Sequence, residues 1–152
     1  MMFKTHLSLG VLAGLFFMRQ FSLEDPWIFL AIVGFSSILP DIDTKNSWIG
    51  KRFKPISWLF SLLFGHRKIF HSILFALFIF IVLYFLTIGY IAAAFLIGYV
   101  VHILVDGFTV NGIKPFYPFS KFEIKGFLRS GDLMDNLLFF LIIVGIIWLS
   151  IG

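Results

Sequence analysis

Residues 69 to 107 read IFHSILFALFIFIVLYFLTIGYIAAAFLIGYVVHILVDG, and this stretch sets the class of fold. It holds two apolar runs, Ile69–Ile88 and Tyr90–Val105, with one glycine between them. His71 and His102 are the only charged or imidazole side chains in either run. An apolar run of about 20 residues is long enough to cross a bilayer as a helix, and glycine commonly stands where helices end. We therefore expect a helical hairpin in a membrane.

The composition of the whole chain supports a membrane protein. Hydrophobic residues make up 60% of the 152 residues, charged residues only 13%, and the mean hydropathy is +1.01. A soluble domain is nearer half apolar and a quarter charged, so this chain has too few charges to cover a surface in water. The net charge of +4 comes without a basic stripe, which argues against nucleic acid as a partner. The absence of Cys excludes disulfides and thiolate metal ligands.

Three further apolar segments complete the predicted bundle, at about Leu7–Met18, Trp27–Leu39 and Leu133–Ile151. The first could be a signal peptide, but it lacks a small-x-small cleavage site, so we interpret it as a retained helix. The first, second and fourth segments are short, and re-entrant or buried helices are the alternative to spanning ones. The expected fold is an all-α transmembrane bundle of about five helices, forming a single integral membrane domain over residues 1–152.

The stretch between the second and third segments predicts an interfacial amphipathic helix. Pro55 suits the first turn of a short helix that reaches Phe64. Tryptophans and clustered cations are typical of a helix that lies in the headgroup region. The residues of these types here are Trp48, Trp58, Lys51, Arg52 and Lys54.

Five crossings would place most polar residues at one membrane face. The start of the chain and the loops at 40–68 and 107–132 then share a face, called here the N-terminal face. All four histidines, six of the eight acids and eleven of the twelve basic residues lie there, with Arg19 the basic exception. Because basic loops stay inside, we expect a multi-pass protein of the inner (cytoplasmic) membrane with its site facing the cytoplasm and membrane lipids as partners.

Two pairs of candidate metal ligands lie at helix ends on this face. His102 and Asp106 are four residues apart, so a helix presents both on one side, one turn apart. The alternative is an interfacial Asp106 beside a His102 that bonds a neighbour. Asp41 and Asp43 follow a helix-ending proline and are expected in an extended segment, where one metal could use one of them or two metals could use both. A solvated turn is the alternative for that pair.

The other candidates lie around the third segment and at the two ends of the bundle. We expect His66 in a loop and His71 in the first turn of the third helix. Arg67 between them can clamp a phosphate with its guanidinium fork, or it can anchor at the headgroups. His6 opens the first helix. Asp135 lies two residues inside the fifth apolar run, where an unpaired carboxylate is costly.

The choice of His and Asp on one face, with no His on the other, predicts a metal site. Imidazole and carboxylate ligands suit zinc first, with manganese or magnesium as alternatives. Eight candidates exceed the four positions of one tetrahedral zinc, so one to three ions are expected. The candidate ligands are His6, Asp41, Asp43, His66, His71, His102, Asp106 and Asp135.

Four motifs in this order resemble a known family. They are His6, LPDID at 39–43, His-Arg-x-x-x-His-Ser at 66–72 and His-x-x-x-Asp-x-x-Thr at 102–109. Together they span nearly the whole chain and resemble the YdjM-like family of predicted membrane-bound metal-dependent hydrolases. The family also carries an acid after a glycine ahead of the last helix. Asp135 matches that position, although a Glu is more usual there and has a longer reach.

The arrangement is more distantly similar to the helical zinc-dependent phospholipases C. The resemblance implies a metal-dependent hydrolase, which we expect to act on a lipid or lipid-linked phosphoester at the cytoplasmic leaflet. Asp43 or Asp135 would serve as general base, and Arg67 would hold substrate charge. Ser72 or Thr109 could orient a ligand.

Two alternatives belong to other functional classes. A metal-ion transporter or metal sensor would need polar groups through the membrane. Residues 73–88 and 137–149 contain no charged or imidazole side chain, which favours a one-sided site. A scaffold without chemistry is the third interpretation.

Overall fold

The computed structural model describes residues 1–64 and 68–151, and within these ranges the regular secondary structure is helical, apart from two isolated β-bridges. The helices are α1 (Phe3–Gln20), α2 (Pro26–Ser36), α3 (Trp48–Arg52), α4 (Lys54–Phe64), α5 (Ile73–Leu86), α6 (Gly89–Gly107) and α7 (Leu133–Ile151). Two 3-10 turns, Leu39–Asp43 and Ile69–His71, precede α3 and α5. The predicted all-α transmembrane bundle is confirmed.

Among the residues that the structure describes, three segments are long and apolar enough to cross a membrane. They are Pro26–Asp43, Gly89–Gly107 and Leu133–Ile151. The last of these is only 11% buried within the protein, as expected of a helix whose other neighbours are lipids. α1 has 18 residues and is less apolar, because its first turns carry Lys, Thr, His and Ser.

The third apolar segment forms a shorter helix than its run of apolar residues predicted. α5 begins only at Ile73 and has 14 residues. The cause is Ser72, whose hydroxyl accepts a hydrogen bond from the backbone N–H of Phe75 at 3.1 Å and caps the helix. The preceding residues leave the helix and form the second 3-10 turn, which carries His71.

The predicted interfacial segment is present as two short helices. Ser47 caps α3 by accepting a hydrogen bond from Gly50 N at 2.9 Å. Pro55 stands in the first turn of α4, which ends at Phe64 as predicted. Both helices pack against the first 3-10 turn, Leu39–Asp43. The amphipathic segment therefore lies beside the residues that carry two of the candidate ligands.

α1 and α6 form the centre of the bundle. α6 packs against α1, α2 and α5, whereas α1 packs against α2, α6 and α7. One apolar cluster joins α5 to α6 around Ala76, Tyr99 and Ile103, and another joins α2 to α6 around Val33 and Ala94. Because lipid is as apolar as these side chains, close packing rather than exclusion of water holds such helices together.

Two glycines bring α1 and α6 close to the end of α2. A Cβ atom at Gly10 would overlap the side chain of Ser37, and one at Gly98 would overlap the last turn of α2. Small residues commonly permit such approach in membrane bundles. Gly10 lies one turn after His6, and Gly98 lies one turn before His102. The close contacts therefore set the positions of both imidazoles.

The loop after α6 folds back over the same end of the bundle. Ile113 and Ile124 exchange backbone hydrogen bonds of 2.9 and 3.0 Å. The backbone N–H of Ile73 donates to the carbonyl oxygen of Pro115 at 2.9 Å, which ties the loop to the start of α5. The loop thus covers the place where α5 begins and α6 ends.

Candidate metal centre

α6 carries two residues of the site, one helical turn apart. His102 and Asp106 are fully buried, and His102 Nε2 lies 3.9 Å from Asp106 Oδ2. The other ring nitrogen, Nδ1, lies 2.7 Å from the carbonyl oxygen of Ser37. A carbonyl can only accept a hydrogen bond, so this contact assigns the proton to Nδ1 and leaves a lone pair on Nε2. The imidazole is therefore held in the tautomer that a metal ligand needs.

The second 3-10 turn directs another imidazole to the same point. His71 is fully buried, and its Nε2 lies 3.3 Å from His102 Nε2 and 3.5 Å from Asp106 Oδ2. Its Nδ1 faces Asp43, whose Oδ2 is 3.5 Å away. The structure places His71 just before the helix cap rather than in the first turn of α5, which corrects the prediction from sequence.

Asp41 completes a group of four ligands. Asp41, His71, His102 and Asp106 each offer one atom, and the four atoms all lie within 4.8 Å of one another. Asp41 Oδ1 is 3.8 Å from His71 Nε2. Two imidazole nitrogens and two carboxylate oxygens could hold a divalent metal ion. The Asp41 side chain is 16% exposed whereas the other three are buried, so the group opens on the side of Asp41.

Asp41 and Asp43 lie in a 3-10 turn and not in the extended segment that their spacing suggested. Pro40 stands in the first turn of Leu39–Asp43, where its fixed φ suits a helix and its missing N–H costs nothing. Asp41 faces the group of four, whereas Asp43 lies behind His71. The hydroxyl of Thr44 donates to Asp43 Oδ1 at 3.0 Å. This arrangement suits Asp43 for orienting the imidazole.

His6 adds a third imidazole beside the group of four. Its ring stacks on His102 with centroids 4.0 Å apart, and its Nε2 lies 3.3 Å from Asp106 Oδ1. The α-amino group of Met1 is 3.0 Å from the same oxygen. Within residues 1–64 and 68–151, the buried Nδ1 of His6 has no hydrogen-bond partner. Leaving a buried polar atom unbonded costs free energy, and a bound cation near this ring would offset that cost.

Asp135 lies apart from this group. Its Oδ1 accepts a hydrogen bond from the hydroxyl of Thr5 at 2.7 Å. Its Oδ2 accepts from the backbone N–H of Met2 at 3.0 Å and of Gly131 at 2.8 Å. Gly131 has a φ of +83°, which only glycine adopts without strain, and so it can aim its N–H at the carboxylate. Asp135 therefore joins the start of α7 to the start of α1.

Two predicted site residues, His66 and Arg67, lie outside the described residues, so their roles stay predictions. Ser72 caps α5, as described above. The hydroxyl of Thr109 donates to the carbonyl oxygen of Asp106 at 2.8 Å and so closes the end of α6.

Comparison with known proteins assigns the chain to a family. The YdjM inner membrane protein family matches residues 1–151. The chain belongs to the YdjM family. It is 31% identical over 140 residues to "Uncharacterized protein YvsG" of Bacillus subtilis (strain 168), which spans 88% of this chain and 84% of that relative. It is 28% identical over 134 residues to inner membrane protein YdjM of Escherichia coli (strain K12), which spans 82% of this chain and 68% of that relative.

The inner membrane protein YdjM of Shigella flexneri matches this chain to the same extent as the Escherichia coli protein. No solved structure matches the chain. The resemblance to the YdjM family is thus confirmed, whereas none of these comparisons shows the more distant likeness to zinc-dependent phospholipases C.

Three residues that position the site of this YdjM-family chain were not predicted from the sequence. Ser37 orients His102 through its carbonyl oxygen. Tyr99 donates its hydroxyl to the carbonyl oxygen of Phe70 at 2.7 Å and so holds the turn that carries His71. Thr5 bonds Asp135. Tyr99 could have been found, because it lies three residues before His102 on the same face of α6. Ser37 acts through its backbone, which leaves no signal in the residue type.

The surroundings of His71 change its proton affinity. Burial alone would lower the pKa of this imidazole, but its contacts with Asp106 and Asp43 outweigh burial and raise the pKa to about 9. The metal-free chain therefore holds a proton on His71 at neutral pH. A metal ion that binds through Nε2 must displace that proton.

Proposed function

We propose that this YdjM-family protein is a metal-dependent hydrolase of a lipid or lipid-linked phosphoester, acting at the cytoplasmic leaflet. The observation that carries the proposal is the convergence of Asp41, His71, His102 and Asp106 at one end of a membrane bundle. The amphipathic helices α3 and α4 pack against the turn that carries Asp41. The open side of the group is therefore next to the segment that suits the headgroup region.

The separations of the four ligand atoms support zinc. Zn–N distances of about 2.0–2.1 Å place tetrahedral ligands about 3.3 Å apart, and cis ligands of an octahedral ion at such distances lie about 2.9 Å apart. Four of the six separations are 3.3, 3.5, 3.8 and 3.9 Å, nearer the tetrahedral value, and all six are within 4.8 Å. Manganese and magnesium are the alternatives.

The carboxylate of Asp106 supports a second ion. Its Oδ2 faces His71 and His102, while its Oδ1 faces His6 at 3.3 Å and the α-amino group of Met1 at 3.0 Å. A carboxylate with imidazoles on both oxygens has the donor chemistry of a bridging ligand. We propose that His6 contributes to this second position and not to the first.

The roles of the chain's own residues follow from their contacts. A bound divalent ion supplies polarisation of a phosphoryl oxygen and a water of lowered pKa. Asp43 and the carbonyl oxygen of Ser37 hold the rings of His71 and His102 in orientation, and Asp41 lines the open side where substrate and water arrive. Asp43 and Asp135 both have contacts of their own, which argues against either as the general base.

The proposal is tested by metal content and hydrolysis of the purified protein. We expect at least one zinc per chain by mass spectrometry, and release of phosphate or headgroup from micellar phospholipids or polyprenyl phosphates. His102→Ala should lose both. Leu104→Ala, a change at an exposed position on the same helix, should lose neither. Equal hydrolysis of water-soluble phosphoesters would contradict a lipid substrate, and tightly held metal without hydrolysis would favour the transporter or sensor.

The same assay tests the predicted role of Arg67. Arg67→Lys keeps the charge and loses the bidentate fork, so metal content should be unchanged. We expect kcat/KM to fall about tenfold, equivalent to about 1.4 kcal/mol of transition-state stabilisation. Full activity in this variant would remove Arg67 from the substrate site.

The orientation is part of the proposal. Five crossings would place eleven of the twelve basic residues of the sequence on the N-terminal face, so this face should be cytoplasmic. Reporter fusions after residue 22 and at the C-terminus should both report the periplasmic or extracellular side. A cytoplasmic C-terminus would contradict five crossings.

A further inference from the structure

A cavity lies between the start of α1, the end of α2 and the interfacial helix α3. Its volume is about 610 Å³, within the range of sites that hold one small ligand. Its walls include Leu7, Phe35, Ile38 and Ile49, which are apolar, and Arg52 provides a cation. We propose that this cavity binds one anionic phospholipid, with the guanidinium of Arg52 on the phosphate.

The charge of the cavity supports a phosphate ligand. The guanidinium of Arg52 lies 4.8 Å from the centre of the Trp48 ring, and Trp48 in turn stacks on Phe3 at 4.3 Å. Within residues 1–64 and 68–151, no carboxylate lies within ion-pair distance of Arg52. The stacking orients the guanidinium while leaving its N–H donors available, and a guanidinium fork matches phosphate oxygens.

The walls of the cavity favour a lipid over a soluble phosphate ester. Trp48 and Phe53 are about half exposed, at 46% and 50%, as expected of aromatic rings at a membrane interface. Phe35 is 55% exposed and adds a further aromatic ring to the apolar wall. One cation together with an apolar lining matches an amphiphile whose phosphate lies at the headgroup level.

The cavity is lined by sequence neighbours of residues at the metal group. Leu7 follows His6 directly, and Ile38 follows Ser37, whose carbonyl oxygen orients His102. The hydroxyl of Ser47, at the start of α3, donates to the carbonyl oxygen of Asp41 at 2.7 Å. The helix that carries Arg52 is therefore tied at its start to the backbone of a candidate ligand. That the bound lipid is also the substrate rests on the proposed function; binding itself does not.

The test measures lipid binding through the fluorescence of Trp48. Trp27, Trp58 and Trp148 are changed to Phe, and the protein is treated with chelator so that binding is read without turnover. Phosphatidylglycerol with brominated chains should quench Trp48 saturably, at least about fivefold more tightly than brominated phosphatidylcholine. Arg52→Gln should abolish this preference. Lys51→Gln, which removes the same charge from the neighbouring position outside the cavity, should retain it.

Each result has a definite consequence. Equal quenching by the two lipids, or equal effects of Arg52→Gln and Lys51→Gln, would overturn the site in favour of general attraction to the membrane surface. Relief of quenching by millimolar inorganic phosphate would show a site for soluble phosphate instead of a lipid. In the hydrolysis assay, Arg52→Gln should raise KM with little change in kcat. Weaker binding with unchanged KM would leave the lipid site standing and remove its link to catalysis.

Discussion

Asp106 and Asp135 are both fully buried carboxylates near helix ends, and their surroundings differ in kind. The oxygens of Asp106 face the imidazoles of His6, His71 and His102 at 3.3 to 3.9 Å, and Oδ1 also accepts a hydrogen bond from the α-amino group of Met1 at 3.0 Å. The oxygens of Asp135 accept hydrogen bonds of 2.7 to 3.0 Å from two backbone N–H groups and one hydroxyl.

The difference shows what separates a candidate ligand from a structural link. An imidazole has a lone pair and can share a cation with a carboxylate, whereas a backbone N–H can only donate its proton. The same residue type therefore suits metal binding at the end of α6 and helix attachment at the start of α7. Four changes test this contrast, beginning with the largest expected effect.

Removing the charge of each carboxylate should separate the two roles. Asp106→Asn should weaken zinc affinity by more than about 100-fold, since substitution of residues that merely orient ligands already costs about 10- to 100-fold. Asp135→Asn should leave zinc affinity unchanged and lower stability, because hydrogen bonds to a charged acceptor are lost. Competition with a chromogenic chelator measures affinity in both variants. An equal loss of zinc affinity in both variants would show that the two carboxylates do not have different roles.

Asp43→Asn should have an intermediate effect. Asp43 contacts His71 Nδ1 and is placed to orient the ring without belonging to the group of four. We expect zinc affinity to fall about 10- to 100-fold. Asp132→Asn, at an exposed acid just before α7, is the matched control and should have no effect. A loss as large as that of Asp106→Asn would make Asp43 a ligand.

Zinc affinity should rise with pH, because His71 must lose a proton to bind metal. The pKa of His71 in the metal-free chain is raised to about 9, so the imidazole is protonated below that pH and neutral above it. Affinity should therefore increase about tenfold per pH unit up to pH 9 and level off above it. In Asp43→Asn, zinc affinity should level off at a lower pH, because Asp43 helps to raise the pKa of His71. Calorimetry in buffers of different ionisation heat should detect about one proton released at pH 7, and no release would contradict the assignment.

The smallest effect is expected at the helix attachment. Thr5→Val removes the hydroxyl that donates to Asp135 Oδ1 and should lower the free energy of unfolding by about 1.5 kcal/mol. Thr5→Ser retains the donor and should be close to wild type. Zinc affinity should not change in either variant. Thermal unfolding in detergent measures stability, and loss of zinc from Thr5→Val would show that the two carboxylates are coupled.

Much of the site could be predicted because its signals are local. The four-residue spacing of His102 and Asp106 places them on one helix face wherever the helix packs. The alternation of apolar runs and polar ends places histidines at one end of the bundle. Asp41 and Asp43 show the limit of such reasoning, because a 3-10 turn and not an extended segment separates their directions. Asp41 belongs to the group of four, whereas Asp43 faces Nδ1 of His71.

The sequence by itself determined a membrane bundle with its His and Asp residues at one end, since length, hydropathy and helical period belong to each segment alone. Only the tertiary structure decided which acids face imidazoles. That choice depends on Gly10 and Gly98, which let α1 and α6 close on α2, and on Ser72, which caps the start of α5 just after His71. A carboxylate acquires its role from the donors or lone pairs that other segments bring to it, and these partners are distant in the chain.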